Sequence, residues 1–279
     1  MTLSSCNYFH AQPITIEKDE LPIGTKLCFI GDTGTGDTIQ FEVASVLEKE
    51  GCLEVHLLGD IIYNSGLKNI DDQDFQEKFL IPYKNLLKTT PFFISMGNHD
   101  YKGDTSVWYT HAKNNKNIIF PAPYYQQVYG SLCITTLDTN AFFIKQLLWL
   151  DKVYGHADKC KLSIFTGHHP LVSSGAHGES PFVMRTFIRN TLQDHTKLYV
   201  SGHEHQLSDE GEANGTRLLI SGAGGRLRSL KGKAVVWGQA TPGYLVVTLE
   251  SVSPYSLSFE FVGVIDKKRT VIHAGEVAQ

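Results

Sequence analysis

Five short apolar runs in this chain end alike, on a glycine followed within two residues by a side chain that can bind a metal. They lead into GDTG (Gly31–Gly34), GDIIY (Gly59–Tyr63), GNHD (Gly97–Asp100), GHHP (Gly167–Pro170) and GHEH (Gly202–His205). Helix-period segments separate several of the runs. KLCFI (Lys26–Ile30) precedes Thr38–Lys49, whose Ile39, Val43, Val46 and Leu47 share one helical face and which Gly51 closes. LEVHLL (Leu53–Leu58), a helix over Asp71–Phe79 and PFFIS (Pro91–Ser95) continue the pattern. This βαβαβ order predicts a largely parallel sheet covered by helices. Ligands of open α/β sheets bind outside the carboxyl ends of strands, so the five glycine-marked ends are expected on one rim. There the glycine is expected to let the chain turn sharply and aim the next side chain inward.

The alternation runs on through LCITTLD (Leu132–Asp138), a helix near Phe142–Tyr154, KLSIFT (Lys161–Thr166), a helix near Pro181–Leu192 and KLYV (Lys197–Val200). After Thr216 it gives way to RLLIS, GYLVVTLE, SLSFEFVGVI and RTVIH, which read as an antiparallel meander. No repeat, linker or low-complexity stretch divides the chain. The expectation is therefore one α/β domain over 1–279, with 22–275 as its ordered core.

Composition narrows the function. The formal charge of −4 and 42% hydrophobic residues are those of a globular chain, and no long basic run supplies a nucleic-acid footprint. No run of about 18 apolar residues is present, and the first twenty residues lack a signal-peptide pattern, which favours a cytoplasmic location and no membrane partner. A monomer is expected. The five cysteines, Cys6, Cys28, Cys52, Cys133 and Cys160, are odd in number and widely spaced, and they read as buried free thiols in a reducing compartment, with one disulfide as the alternative. Nine of the 12 histidines fall between His99 and His205, which is where the chemistry should lie.

The strand-end side chains mix hard oxygen with imidazole nitrogen and include no thiolate. That set suits zinc, manganese or iron and disfavours an all-oxygen calcium cage. Seven donors exceed what one four-coordinate zinc uses, so two ions about 3.5–4 Å apart, sharing a carboxylate, are the simplest solution.

The ordered set D, GDxxY, GNHD, GHxP, GHxH resembles the calcineurin-like metallophosphoesterases. Tyr63, three residues after Asp60, is similar to the purple acid phosphatase branch, and within it to the small tartrate-resistant type. Gly-His-His-Pro with AHG nine residues on, ISGAGG (Ile220–Gly225) and the GYLVVTLES near the end extend the likeness along most of the chain. The resemblance implies two stacked mixed β-sheets flanked by helices, a four-layer α/β/β/α sandwich. It implies that Asp32, Tyr63 and His205 hold a first metal and that Asn98, His168 and His203 hold a second, with Asp60 bridging. In much of the superfamily the first motif reads GDxH; here position 34 is glycine, and Tyr63 fills the gap. A phenolate favours a trivalent ion, so iron is expected at the first site and iron, zinc or manganese at the second.

The implied reaction is hydrolysis of phosphomonoesters by a metal-bound hydroxide. His99 and His177 are the candidates for protonating the leaving group, with His169 a weaker third. Asn98, His99, His177 and Arg226 are the candidate substrate contacts. Asp100 reads as structural, Tyr124 and Tyr125 as packing residues, and His10, His56, His111, His156, His195 and His273 as surface or core histidines. Arg226, Arg228, Lys231 and Lys233 form either a solvated loop or a surface for an anionic leaving group, which would favour nucleotides or phosphoproteins as substrates. Asn214-Gly215-Thr216 matches an N-glycosylation tripeptide. Two other readings compete: a phosphodiesterase or nucleotide pyrophosphatase on the same centre, and a non-catalytic interaction module on the same fold. Two features depart from the small acid phosphatases: the missing export pattern, and Tyr101 where a histidine often follows GNHD.

Overall fold

The computed structural model describes residues 12–141, 143–155, 159–178, 180–192, 196–233 and 236–278. Cys6, His10, Phe142, His156 and His195 lie outside them. In chain order the strands are β1 (Thr15–Lys18), β2 (Lys26–Ile30), β3 (Glu54–Leu58), β4 (Phe92–Ser95), β5 (Ile118–Ile119), β6 (Tyr125–Tyr129), β7 (Leu132–Thr136), β8 (Leu162–Gly167), β9 (Leu198–Ser201), β10 (Leu207–Ala213), β11 (Thr216–Ser221), β12 (Trp237–Gln239), β13 (Gly243–Val252), β14 (Tyr255–Ile265) and β15 (Lys268–Ala278). The α-helices are α1 (Thr38–Leu47), α2 (Gln73–Phe75), α3 (Val107–Asn114), α4 (Phe143–Tyr154) and α5 (Phe182–Leu192).

Two mixed sheets result, ordered β15-β14-β13-β2-β3-β4-β5 and β1-β6-β7-β8-β9-β11-β10-β12. The period-2 pattern of each strand decides the layers. On β2, Leu27 and Phe29 face the apolar layer between the sheets while Cys28 and Ile30 face outward, under Val43 and Leu47 of α1. On β9, Leu198 and Val200 join the same inner layer, and Tyr199 packs outward with Leu150 of α4 and Phe187 of α5. Helix, sheet, sheet and helix therefore stack around three apolar layers, the four-layer order that the sequence resemblance implied. Truncating a fully buried member such as Phe29 to alanine is expected to cost about 3–5 kcal/mol.

Several sequence expectations need correction. RLLIS, as β11, does not belong to the antiparallel meander: it pairs parallel with β9 and antiparallel with β10. Its hairpin partner β10 was hidden because Ser208, Asp209 and Glu210 are buried polar residues that break the apolar signature. The βαβαβ strands β2, β3 and β4 pair parallel as expected, with β5 beside them, and β13, β14 and β15 complete that sheet in antiparallel register. The helix expected over Asp71–Phe79 is only the three-residue α2, followed by a π-helical turn over Gln76–Leu80.

The cysteines also differ from expectation. Cys28 pairs with Cys52 and Cys133 with Cys160, at Cα separations of 5.8 and 5.5 Å. Partners 24 and 27 residues apart carry no local spacing signal, and each pair meets only once strands and their connections are placed. Among the described residues no helix is long and apolar enough to cross a membrane.

Candidate metal centre

The loops after β2, β3, β4, β8 and β9 meet at one edge of the sandwich, as their carboxyl-end positions require. The Gly31 N–H donates to the Ser221 carbonyl at 2.7 Å and the Asp32 N–H to the Gly59 carbonyl at 3.0 Å, so backbone bonds weld the strand ends together. The turning is not done by the glycines alone. Gly59 has φ of +88°, but Asp32, Asp60 and His203 themselves occupy the left-handed region, with φ of 57°, 52° and 70°. Such strain in non-glycine residues gathers at functional sites. Gly97 serves close approach instead, because a Cβ there would overlap the backbone nitrogen and carboxylate of Asp60.

Around Asp32, the Tyr63 hydroxyl donates to Oδ1 at 2.8 Å, and His205 Nε2 lies 3.1 Å from the same hydroxyl. The second carboxylate oxygen accepts the His203 N–H at 2.8 Å. Gly34 is packed so tightly that a Cβ would overlap the Ile61 carbonyl, and its own carbonyl accepts the Tyr63 N–H at 2.8 Å. Position 34 thus has no room for a side chain, and the strand-end turn carrying Tyr63 sits against it.

Around Asn98, Oδ1 lies 3.0 Å from His168 Nε2 and 3.1 Å from His203 Nδ1, and those two nitrogens are 3.2 Å apart. His168 Nδ1–H donates to the Leu58 carbonyl at 2.8 Å, which leaves its Nε2 lone pair facing the cluster. Asp60 stands between the two groups. Its Oδ1 is 3.5 Å from His168 Nε2 and accepts the His99 N–H at 2.8 Å.

The electrostatics suit cations. Burial, followed by the Asp60 charge, holds the Asp32 carboxyl well above the usual range. Burial and then the neighbouring His168 and His177 push His203 down to about 3; burial, Arg228 and His177 push His205 down to about 4. Burial also lowers His168. Neutral imidazoles with free lone pairs and two crowded buried carboxylates form a donor set that positive charge stabilises. Burial and the Asp32 and Asp60 charges raise the Tyr63 phenol, so without such charge it stays a hydroxyl.

Two donor groups, Asp32–Asp60–His168 and His168–His169–His203, each bring their ligand atoms within 4.8 Å of one another, and they share His168. His169, a third candidate acid in the sequence, thus approaches the centre in the position of a possible metal donor. It is buried, with Nδ1 2.8 Å from Thr139 Oγ1.

His177 lies at the rim, its ring centroid 4.5 Å from that of His203. Glu204 Oε2 is 3.2 Å from its Nδ1, and Arg228 Nη1 is 2.6 Å from its Nε2. Burial pushes Glu204 up, yet hydrogen bonds from His177 and Ser173 outweigh it and hold the carboxyl at about 2. His99 places Nδ1 2.7 Å from the Asn64 carbonyl and Nε2 3.9 Å from Asp60 Oδ2. Arg226 lies 4.1 Å from the Tyr63 ring centroid and donates to Asn64 Oδ1 at 2.9 Å. Glu204 and Asn64 were missed in the sequence because the motifs mark the candidate donors beside them and not the groups that hold His177 and His99.

Asp100 accepts N–H bonds from Gly97, Ile61 and Ile62 at 2.8 to 3.2 Å, so it braces two ligand loops and does not face the centre. Burial and the Asp60 charge raise it to about 7. His56 and His111 are buried, His273 bonds Asp209 at 3.0 Å, and Tyr124 and Tyr125 are packing residues.

Comparison with known proteins agrees with this geometry. The chain is 28% identical to human tartrate-resistant acid phosphatase type 5 over 211 residues, which are 66% of this chain and 64% of that protein. It thus spans just under two thirds of that relative's length. It is 21% identical to Arabidopsis thaliana purple acid phosphatase 4, over 81% of this chain and 75% of that one. In fold it is similar to GAP50, the anchor in the inner membrane complex of Plasmodium, with a TM-score of 0.76 at 18% identity over 92% and 89% of the two chains. A dimetal phosphatase from Danio rerio superposes with a TM-score of 0.59 at 11% identity over 92% and 99%. Residues 25–207 match the calcineurin-like phosphoesterase family, whose members are metal-dependent, and the chain belongs to that family.

Proposed function

We propose that the protein is a phosphatase that hydrolyses phosphomonoesters at a dinuclear metal centre. The observation that carries this reading is the pair of donor groups meeting at His168, with Asp60 between Asn98 and Asp32. Asp32, Tyr63 and His205 would hold one ion, Asn98, His168 and His203 the other, and Asp60 both; iron at the first site and iron, zinc or manganese at the second suit the donors. Bound cations would supply charge for the phosphoryl oxygens and acidify the attacking water.

The remaining work falls to the chain. Glu204 accepts from His177 Nδ1–H and fixes the ring, so that Nε2, which Arg228 Nη1 meets at 2.6 Å, is the atom that would carry a proton to the leaving oxygen once bound substrate draws Arg228 away. His99 is held by the Asn64 carbonyl with Nε2 toward Asp60, where it orients the phosphoryl group. The substrate is a small phosphorylated molecule or a phosphoprotein.

One observation favours a second reading. The likeness in fold to an anchor protein raises a role as a docking scaffold. Turnover of p-nitrophenyl phosphate and of its bis-ester by the wild type and Asn98→Ala separates the possibilities. Monoester turnover that collapses in Asn98→Ala supports the proposal. Preference for the diester replaces it with a phosphodiesterase, and no turnover by a metal-loaded wild type favours the scaffold.

A further inference from the structure

His169 is a buried imidazole for which the proposed reaction has no task. Its ring centroid lies 4.8 Å from that of His168 and 4.6 Å from that of His203, and one ligand atom on each of the three rings falls within 4.8 Å of the other two. The ring is also held from behind. Thr139 Oγ1 accepts the His169 backbone N–H at 3.1 Å and lies 2.8 Å from Nδ1, while the Tyr199 hydroxyl donates to the His169 carbonyl at 2.6 Å. A Cβ on Gly167 would overlap both Thr139 Cγ2 and that hydroxyl, so the fit around the residue is close. Thr139 itself follows Asp138, a fully buried carboxylate that accepts the Tyr101 hydroxyl and the Asn140 N–H.

A ring whose Nδ1–H donates to Thr139 keeps its lone pair on Nε2, and among the described residues Nε2 has no hydrogen-bond partner. A histidine that binds a metal has this arrangement, its other ring nitrogen tied to a protein acceptor. We infer that His169 is a further protein donor to the second ion, beside Asn98, His168 and His203, and that it makes this a site of three imidazoles. The inference rests on the dinuclear reading for the ion and not on what the ion does to a substrate. Nitrogens about 2.0–2.1 Å from one zinc stand closer together than 4.8 Å, so a small movement of the ring completes the set. A third imidazole favours zinc, whereas manganese prefers carboxylate, carbonyl and water oxygens. Protonating a leaving group suits His169 less well, because it is buried while the side chains of His99 and His177 keep 22% and 30% of their exposure.

The test reads metal binding on the full chain, stripped of metal and titrated with zinc or manganese against a competing chelator. His169→Leu should weaken one of the two zinc equivalents by about tenfold or more, leave the other in place, and weaken manganese by less than about threefold. Cobalt(II) loaded in place of zinc gives a second readout, since one of its visible bands should change in the variant on losing a nitrogen donor. Thr139→Val, which keeps the imidazole and frees Nδ1, should show part of the zinc loss, and it carries the test if His169→Leu does not fold. Unchanged zinc affinity in a folded variant, equal losses for zinc and manganese, or an unaltered cobalt spectrum overturns the inference. A single zinc equivalent that His169→Leu weakens overturns the dinuclear reading and keeps His169 as a donor. Two equivalents in a wild type that turns over no phosphate ester overturn the phosphatase reading and leave the donor assignment standing.

Discussion

Glu204 Oε2 lies 3.2 Å from both the backbone nitrogen and Nδ1 of His177, tying the rim loop to the strand end that carries His203 and His205. A Cβ on Gly175 would overlap that carboxylate, and Ser173 Oγ donates to its other oxygen at 2.8 Å, so the loop is moulded on Glu204. Glu204→Gln keeps the size and removes the charge. It should lower kcat on p-nitrophenyl phosphate by about tenfold with metal content and KM unchanged. A loss of metal instead would assign Glu204 to supporting the ligands and not to His177.

Tyr63 donates to Asp32 and cannot be replaced in function by position 34, where no side chain fits. With ferric iron at the first site, the purified protein should show a visible tyrosinate charge-transfer band that disappears in Tyr63→Phe. A colourless protein of full activity would assign zinc or manganese there.

The buried network at the other end of β3 gives a pH signature. Glu54 accepts from Gln127 at 2.9 Å, from Lys18 at 3.0 Å and from Tyr129, and meets His56 at 3.0 Å. Burial opposes ionisation, but His56, Lys18 and Tyr129 outweigh it and lower the carboxyl from 4.5 to about 2. A depressed folded pKa contributes stability that is present above the unfolded value and lost as pH falls through the folded one. Glu54 should therefore contribute on the order of 3 kcal/mol above pH 4.5 that disappears by pH 2. Urea unfolding of Glu54→Gln should show a shallower loss between those values; an identical slope would remove Glu54 from the account.

The two cystine pairs predict that denatured, unreduced protein titrates at most one thiol of its five cysteines. Reduction should lower stability by about 2–4 kcal/mol per pair. Five titratable thiols would restore the expectation of free cysteines.

The strand ends and the candidate donors on them were legible because each couples a local signal, an apolar run closed by glycine, to a side chain with few other uses. Asp32, Asp60, Tyr63, Asn98, His168, His203 and His205 stand at those strand ends within hydrogen-bonding or ion-pair distance of one another's groups. What the order did not carry was anything set by tertiary approach. The left-handed backbone at Asp32, the fit of Gly34 against Ile61, the Glu204–His177 pair and the cystines depend on elements far apart in sequence. β10 escaped because its inward positions are polar, and their partners, such as Arg217 for Asp209, come from the neighbouring strand.

In the proposed centre Asp60 is shared by two ions. Elemental analysis of wild type and Asp60→Asn, purified in parallel, tests it most directly: two metal equivalents per chain in the wild type, falling at both sites in the variant along with activity. One equivalent in an active wild type, or undiminished metal in Asp60→Asn, would contradict it.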